Sequence, residues 1–428
     1  MEFGLVNSVA FAVLALLGLY ILSLIYNNFR AAGIVERGTV QEINYLREKV
    51  EQIKARREFD KQKNELSWNG IRKFRVERKN PENRDICSFY LRPHDERPLP
   101  PFNPGQYLTF KLNLPSANKV TTRCYSLSDS PKGEYYRVSI KRQVPPKDPA
   151  KADVGKSSSN YFHDNVNEGD ILDVLAPNGD FFLDMHRQTP VVLIGGGIGI
   201  TPVLSMLNAI VESGSKRETW FFLGVRNAKE HVFREHLEAI DRANENVHVR
   251  ICYSNPEDSD VEGKDYHHAS RVGAPLFQEV LPSNNYDYYF CGPPPMMESL
   301  FQGLRDWDVP EDRIHFEAFG PATVKSKAQA DKAPTGADAA APATGFKLKF
   351  VRSEKEIVWD GSADSILEFA EANGIDMDSG CRAGACGTCI TAVLKGDVAY
   401  ATEPSAEVGK GSCLTCISKP KADMELDA

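Results

Sequence analysis

The sequence predicts a multidomain protein: an N-terminal transmembrane helix, an antiparallel β-barrel, a parallel-sheet α/β domain and a small C-terminal α+β domain. Three observations predict this fold class. An uncharged apolar run extends from Leu5 to Tyr26. Near Pro190 the pattern changes from short strands with Pro and Gly turns to alternating strands and helices. Several closely spaced cysteines then lie near the C-terminus.

Length and composition are those of an ordinary globular protein. The 428 residues correspond to about three domains, and a hydrophobic content of 42% is enough for sizeable cores. A net charge of −8 offers no basic field for a phosphate backbone, so we expect no nucleic-acid partner. The nine cysteines show no disulfide framework, which favours a reducing compartment.

Residues 1–30 are predicted to form a single-pass membrane anchor in contact with the lipid bilayer. The run from Leu5 to Tyr26 spans about 33 Å at about 1.5 Å per residue, enough to cross a bilayer core. A cleaved signal peptide and a buried soluble helix are the alternatives, but no positive charge precedes the run. Basic residues follow it, which places the soluble domains in the cytoplasm: Arg30, Arg37, Arg47 and Lys49.

Residues 31–69 are predicted to form a charged helical stalk. The segment is rich in Glu, Lys, Arg and Gln, and it lacks proline before residue 69. Four apolar residues occupy heptad a and d positions over two heptads, before Arg57 interrupts the series: Ile43, Leu46, Val50 and Ile53. A short coiled-coil dimer contact is therefore the alternative to a solvated helix.

Residues 70–186 are predicted to form the antiparallel barrel. Apolar residues tend to alternate within its strand segments, as expected for a sheet with one buried face. The segments are IRKFRVERK, ICSFYLRP, QYLTFKL, YYRVSIKR and DILDVLAP.

Residues 187–321 are predicted to form the parallel α/β domain. VVLIGGG, TWFFLGVR, VHVRICYS and YDYYFCG are strand-like, and ITPVLSMLNAIVE is helix-like. Residues 322–345 are rich in Ala, Pro and Lys and are predicted to be a flexible linker. The terminal domain comprises residues 346–428.

Three cysteines of the terminal domain predict a [2Fe–2S] site. Cys381, Cys386 and Cys389 have the C-x4-C-x2-C spacing of such a site, which a distant fourth cysteine completes. Cys413 and Cys416 are both candidates for that fourth ligand. Small residues around the three cysteines let the backbone approach a cluster closely. A zinc site or a disulfide pair is the alternative, but zinc sites favour paired C-x2-C spacing.

Two further segments predict cofactor contacts. Arg123, Tyr125 and Ser126 combine a cation for a phosphate, an aromatic ring for a flat heterocycle and a hydroxyl for its edge. By themselves these three residues are more typical of an ordinary strand with a surface arginine. The second segment, Gly195–Pro202, follows a strand and opens a helix, so its backbone N–H groups can approach a cofactor. It is not a G-x-G-x-x-G motif, because Ile200 and Pro202 stand where a third glycine would be needed.

Together with Cys291-Gly292-Pro293-Pro294-Pro295-Met296, these segments resemble the ferredoxin–NADP reductase superfamily, in particular its flavohaemoglobin-reductase-like and oxygenase-reductase branches. The resemblance implies that Arg123 binds flavin phosphate, that Tyr125 packs on the isoalloxazine and that Ser126 reaches its N5 edge. It places Ser158 or Ser159 at the pyrophosphate, because one extra residue in the segment starting at Gly155 leaves both open.

The resemblance also implies a nicotinamide site. Its glycine motif is matched by five residues: Gly196, Gly197, Gly199, Thr201 and Pro202. The resemblance implies that Cys291 and Gly292 flank the nicotinamide, although a free buried thiol is the alternative for Cys291, and that Glu317 and Phe319 lie beside the flavin. The implied reacting site is Tyr125, Ser126, Thr201, Cys291 and Glu317. The segment Leu414-Thr415-Cys416 resembles the closing segment of plant-type ferredoxins, which implies a β-grasp domain with Cys416 as fourth ligand.

The implied cofactors are FAD, NADH and the [2Fe–2S] cluster. FMN is the alternative flavin, and the segment LAPNGDFFLD resembles the FAD-using branch. NADPH-using relatives commonly place Ser-Arg where this chain has Ser254-Asn255, so NADH is expected. Arg226 and Lys264 keep NADPH as the alternative.

We therefore expect a membrane-anchored reductase that passes electrons from NADH through FAD and [2Fe–2S] to a partner oxygenase, hydroxylase or desaturase, itself possibly membrane-bound. Flavin connects two-electron hydride chemistry with single-electron transfer. The alternative is a respiratory NADH:quinone reductase related to the flavin subunit of the sodium-pumping enzyme, whose domain order differs. A tethered redox sensor is the third hypothesis.

Overall fold

The computed structural model describes residues 16–24, 26, 43, 46, 47, 49–51, 53–114, 120–143, 157–317, 319, 345–375, 377–380, 382, 384, 387–400, 404, 406 and 408–428. The chain divides into two compact units, Met1–Gln62 and Lys63–Ala428.

The described residues of the first unit are helical. None of the helices among the described residues combines the length and the apolar composition that a membrane span requires. Most of the predicted span between Leu5 and Tyr26 lies outside the described part of the chain. The four apolar stalk residues are between 48% and 56% exposed.

In the described part of the barrel there are six antiparallel strands and one short helix. They are β1 (Arg72–Pro81), β2 (Ile86–Pro93), β3 (Tyr107–Leu112), β4 (Thr121–Ser126), β5 (Tyr136–Lys141), α1 (Ser158–Asp164) and β6 (Ile171–Asn178). The strand order is β4-β3-β6-β1-β2-β5. An antiparallel bridge between Leu127 and Val138 connects the two edges and closes the sheet.

Two details of the barrel bear on the sequence-based expectation. The alternating pattern holds in β1, where Phe74 and Val76 are buried between exposed neighbours, but β2 is buried along nearly its whole length. The outer face of β2 is covered because Arg78 lies over the Tyr90 ring at 3.6 Å. The segment Arg123–Ser126 forms part of β4, paired with β3, so these residues lie within a strand and not in a loop.

The α/β domain contains five parallel strands with helices on both faces. Its elements are β7 (Val191–Gly196), α2 (Ile200–Glu212), β8 (Thr219–Val225), α3 (Arg234–Ala243), β9 (Val247–Tyr253), α4 (Ala274–Val280), β10 (Asp287–Cys291), α5 (Pro294–Asp306) and β11 (Ile314–Glu317). Short 3-10 turns occupy Gly197–Gly199, Ala228–Glu230 and Glu311–Arg313. Successive residues of β7 enter opposite core layers: Leu193 packs with α2 and α3, and Ile194 packs with α4 and α5. This two-sided burial explains the continuous apolar run of the strand.

The strand order β11-β10-β7-β8-β9 places a topological switch point between β7 and β10. After β7 the chain builds one side of the sheet with β8 and β9, and then it builds the other side with β10 and β11. In open α/β sheets, ligands bind where the strand order reverses, outside the carboxyl ends of the strands. The glycine-rich segment follows β7 and the Cys-Gly-Pro segment follows β10, so both lie at this crevice.

The terminal domain is α+β, as predicted. Its elements are β12 (Phe346–Phe350), β13 (Lys355–Trp359), α6 (Ile366–Ala372), β14 (Ile390–Lys395), β15 (Val398–Tyr400), β16 (Ser412–Leu414), β17 (Ser418–Pro420) and β18 (Met424–Leu426). A mixed sheet has the order β13-β12-β18-β14-β16, with β12 and β18 parallel. Helix α6 buries Ile366, Leu367 and Phe369 against the core of this domain. The predicted linker, apart from Gly345, lies outside the described residues.

Candidate functional site between the barrel and the α/β domain

The glycine-rich turn after β7 is shaped by backbone conformation and by close packing. Gly197 has φ +54°, a left-handed conformation that favours glycine. At Gly199, an added Cβ would overlap the carbonyl group of Cys291 and the nitrogen of Gly292. A Cβ added at Gly196 would likewise overlap the side chains of Met296 and Pro293. The two segments predicted to surround the nicotinamide are therefore in direct backbone contact.

Thr201 and Pro202 lie in the first turn of α2, and both are buried. The Thr201 hydroxyl Oγ1 donates a hydrogen bond to the carbonyl of Ile198 at 3.1 Å. This bond ties the helix start to the preceding 3-10 turn. Thr201 therefore has a structural partner at the place where the sequence predicted a reacting group.

Ser126, Cys291 and Glu317 meet where the barrel and the α/β domain adjoin. Cys291 is fully buried at the end of β10 and is paired in register with Glu317 of β11. Ser126, the last residue of β4, donates from Oγ to Glu317 Oε2 at 3.4 Å. The structure thus brings together three of the five predicted reacting residues from two domains.

Burial changes the acidity of two of these groups. It raises the pKa of the Cys291 thiol well above its usual value, and the Glu317 carboxyl adds to this effect. Burial also raises the pKa of Glu317 to about 8, although the hydrogen bond from Ser126 opposes the shift. At neutral pH both groups therefore keep their protons, and the site is uncharged at these positions.

Tyr125 lies on β4 within an aromatic group. Its ring packs edge-on against Phe110 and Phe162, with centroids 5.8 Å and 5.2 Å away. Its hydroxyl lies 3.0 Å from Ser158 Oγ at the start of α1. Burial raises the pKa of Tyr125 to about 12, so the phenol is neutral and acts as a hydrogen-bonding group.

Ser158 and Ser159, which the sequence analysis left as alternatives for the pyrophosphate position, have different partners in the structure. Ser158 contacts Tyr125, whereas Ser159 Oγ lies 2.9 Å from Ser157 Oγ. Ser157, which sequence reasoning missed, is the N-cap of α1 and accepts a hydrogen bond from the Asn160 N–H at 3.3 Å. The Ser-x-x-Asn spacing was a signal for this cap. Gly155 lies outside the described residues.

Two predicted flavin contacts are more exposed. Arg123 donates from Nη1 to the Thr122 carbonyl at 2.7 Å, which leaves the guanidinium at the open side of β4. Phe319 is 45% exposed beyond the end of β11. Arg123 precedes Tyr125 by two residues and Phe319 follows Glu317 by two residues, and neither is part of a hydrophobic core.

Two of the predicted cluster ligands are described, and they are adjacent. Cys389 Sγ and Cys416 Sγ are 3.0 Å apart, and both residues are buried. This distance is longer than a disulfide bond of about 2.05 Å, so the two sulfurs are adjacent without being bonded to each other. Cys413 is also buried, and burial raises the pKa of its thiol to about 11. Cys381 and Cys386 lie outside the described residues, and among the described residues there is no group of three or more metal-binding side chains.

The loop that carries the cysteines has the backbone that close approach to a cluster requires. Gly384 and Gly387 have φ +76° and +70°, and a Cβ on Gly384 would overlap Ile417 Cδ1 at 2.5 Å. Arg382 also adopts a left-handed conformation, with φ 55°. The residues that are described therefore fit a tightly wrapped cluster site.

Comparisons with known proteins agree with this architecture. The family model "Oxidoreductase NAD-binding domain" matches residues 193–301, and the model "2Fe-2S iron-sulfur cluster binding domain" matches residues 350–421. The chain is 43% identical over 258 residues to a flavohemoprotein of Bacillus thuringiensis subsp. konkukian, covering 60% of this chain and 63% of that protein. It therefore spans less than two thirds of the length of such curated relatives.

Two solved structures extend the comparison. One is the flavohem-like FAD/NAD-binding domain of nitric oxide dioxygenase from Vibrio cholerae, with a TM-score of 0.51 and 30% identity, covering 59% of this chain and all of that one. The other is phthalate dioxygenase reductase, described as a modular structure for electron transfer from pyridine nucleotides to [2Fe–2S]. It has a TM-score of 0.52 and 26% identity, and the match covers 84% of this chain and 98% of that one.

Proposed function

Because this chain belongs to the ferredoxin–NADP reductase-like oxidoreductases and joins their FAD/NAD-binding module to a [2Fe–2S] ferredoxin domain, we propose that it is an NADH-dependent electron-transfer reductase. Electrons pass from NADH through FAD and the [2Fe–2S] cluster to a partner oxygenase, hydroxylase or desaturase. The observation that carries the proposal is the meeting of Ser126 with Glu317 and Cys291 at the switch point. Bound flavin supplies the conversion between a hydride and single electrons.

The residues of the chain contribute placement and a neutral, water-poor environment. Tyr125 and Ser126 offer a ring and a hydroxyl on one strand end, and the glycine turn lets a nicotinamide approach the backbone. Protonated Glu317 and Cys291 keep negative charge away from the place where a hydride moves. Such positioning and electrostatic control are the main contributions that a protein makes to cofactor chemistry.

Charge pairing near the ends of β8 and β9 supports NADH as the donor. Lys229 Nζ lies 2.8 Å from Glu257 Oε1, and Arg226 Nε lies 3.3 Å from Glu230 Oε1. Cations that already have carboxylate partners are poor ligands for the 2′-phosphate of NADPH. We expect kcat/KM to be higher with NADH than with NADPH, and the reverse preference would contradict this assignment.

Membrane attachment with the soluble domains in the cytoplasm is part of the proposal. Its support is the uncharged run from Leu5 to Tyr26 and the exposed apolar stripe of the stalk helix. Basic residues flank the stripe at the heptad e and g positions: Arg47, Lys49, Lys54 and Arg56. Like charges at these positions oppose pairing of two stalks, whereas they favour an anionic lipid surface.

The decisive experiment is anaerobic titration of the reconstituted full-length protein with NADH. We expect the flavin and cluster absorption bands to bleach and cytochrome c reduction to follow. A protein that binds neither flavin nor iron, or that NADH does not bleach, would refute the proposal. Quinone-dependent turnover would instead favour a respiratory reductase.

For the membrane attachment, the full chain should sediment with membranes, and a variant lacking both the anchor and the stalk, residues 1–69, should not.

A further inference from the structure

Asp129 is a buried acid between the two cofactor-binding domains. It follows the end of β4 by three residues and is 5% exposed. Burial of a carboxylate costs free energy unless charges and hydrogen bonds compensate it. The contacts of Asp129 therefore indicate what the residue holds in place.

Helix α2 supplies the contacts from the α/β domain. Ser205 Oγ donates to the Asp129 carbonyl at 2.7 Å, and Asn208 Nδ2 donates to Asp129 Oδ1 at 2.8 Å. Asn208 is itself fixed, because His236 Nε2 on α3 lies 2.7 Å from its Oδ1, which can only accept. Ser205 and Asn208 are 0% and 2% exposed.

The barrel supplies the compensating charge. Tyr135 OH donates to Asp129 Oδ2 at 2.9 Å, and Arg137 Nη1 lies 3.6 Å from the same oxygen. Burial raises the pKa of Asp129, but Arg137 and Lys132 together with the hydrogen bonds outweigh it, so that the pKa falls below its usual value. Asp129 is therefore ionised, and its carboxylate oxygens have hydrogen-bond or ion-pair partners in both domains.

A second set of contacts joins the barrel to the α/β domain beside Asp129. Lys132 Nζ lies 2.8 Å from Glu212 Oε1 at the end of α2. The Arg137 guanidinium lies 5.3 Å from the Phe233 ring, which precedes α3. Phe233 has φ 57°, an unfavourable conformation for a bulky residue that surrounding contacts must maintain. Ser205, Asn208 and Glu212 recur at helical spacing, so one face of α2 meets the barrel.

We propose that Asp129 is a positioning residue that fixes the orientation of the barrel against helix α2, and thereby the alignment of flavin and nicotinamide. Ser126 precedes Asp129 by three residues on the flavin side, and Thr201 precedes Ser205 by one helical turn on the nicotinamide side. A change in the contact therefore moves both cofactor segments relative to each other. This inference rests on the proposed transfer of a hydride from NADH to FAD, which leaves the nicotinamide oxidised and the flavin reduced by two electrons.

The test removes the cross-domain bond with Asn208→Ala in the full-length, FAD-loaded protein. We expect the rate constant of flavin reduction at saturating NADH to fall about tenfold or more, because misalignment by about 1 Å is costly. The NADH dissociation constant should change by less than about twofold, since the binding groups remain. The long-wavelength charge-transfer absorbance of the NADH–flavin contact should weaken in parallel.

A readout independent of turnover is hydrogen–deuterium exchange without NADH. Asn208→Ala should speed exchange in the loop between β4 and β5. The matched control is Tyr136→Phe, which removes an equally buried bond, Tyr136 OH to the Pro100 carbonyl at 2.8 Å, within the barrel alone. This control should lower the melting temperature and leave the charge-transfer band and flavin reduction unchanged.

An exchange of the pair, Asp129→Asn with Asn208→Asp, reverses the direction of the hydrogen bond and should recover part of the rate. The inference is overturned if Asn208→Ala lowers only the melting temperature while flavin reduction and the charge-transfer band stay at wild-type levels. If Asn208→Ala does not fold, Ser205→Ala decides on the same measurements. Failure of the wild-type protein to bleach with NADH would instead refute the proposed function.

Discussion

The Ser126 hydroxyl donates to the Glu317 carboxyl at 3.4 Å, and this bond joins the last residue of a barrel strand to the last residue of the α/β sheet. The two residues are 191 positions apart in the chain. Because Glu317 is also paired in register with Cys291, one contact connects the segments that we assign to flavin and to nicotinamide.

Replacing Glu317 by Gln should change the pH dependence of stability. Burial raises the pKa of Glu317 from 4.5 to about 8, so the native state holds a proton that the unfolded state releases. Stability from this group is therefore greatest below pH 4.5 and declines as the pH rises to about 8. We expect Glu317→Gln to reduce this decline, as measured by denaturant unfolding across the pH range.

The same substitution should remove an alkaline loss of flavin reduction centred near the pKa of about 8. Glu279→Gln, at an exposed position of the same domain, is the control and should leave both profiles unchanged. Identical pH profiles for Glu317→Gln and the wild type would show that Glu317 is not the titrating group.

The two candidate fourth ligands can be distinguished by Cys416→Ala and Cys413→Ala. Cys416 Sγ lies 3.0 Å from Cys389 Sγ, whereas Cys413 is a buried thiol whose pKa burial raises to about 11. We expect Cys416→Ala to lose the cluster, measured by iron and sulfide content and visible absorption, while NADH still bleaches the flavin. Cys413→Ala should keep the cluster. The opposite result would assign the ligand to Cys413.

Gly199→Ala should damage the nicotinamide site through packing. The added Cβ would overlap the backbone of Cys291 and Gly292, which cannot move as a side-chain tip can. Overpacking of this kind typically costs about 1–3 kcal/mol. We expect FAD binding to persist while kcat/KM for NADH falls about tenfold or more, because a cost of about 1.4 kcal/mol is a tenfold change.

Gly273→Ala is the matched control, since its Cβ would meet only Pro275 Cδ at 3.7 Å, an ordinary contact. A Gly199→Ala protein with unchanged NADH kinetics would mean that the backbone contact does not define the nicotinamide site.

The hydrogen bond between Tyr125 and Ser158 should be measurable in a double-mutant cycle. Tyr125→Phe keeps the ring packed against Phe110 and Phe162 but removes the hydroxyl, and Ser158→Ala removes its partner. We expect a coupling free energy of about 1 kcal/mol in unfolding of the flavin-free protein. Additive effects of the two substitutions would contradict the bond.

The sequence alone was enough to predict the antiparallel barrel, the parallel α/β domain and the C-terminal α+β domain. Periodicity along the chain records which residues face a core, so β7 and helix α2 were found at nearly their observed positions. Motif spacing also indicated the cofactor segments, because turns that approach a cofactor need small residues at set positions. Apolar periodicity and motif spacing are local properties, which can be read within a single segment of the chain.

Only the tertiary structure decided which segments meet. It placed Arg123–Ser126 on a paired strand, gave Ser158 rather than Ser159 the contact with Tyr125, and set Asp129 against Ser205 and Asn208. It also buried both faces of β2, which its neighbours cover. Such contacts depend on residues far apart in the chain, and the pKa of Glu317 depends on burial that no neighbouring residue in the sequence can reveal. The physical reason is that desolvation and packing arise from the folded whole, whereas the sequence pattern records only local preference.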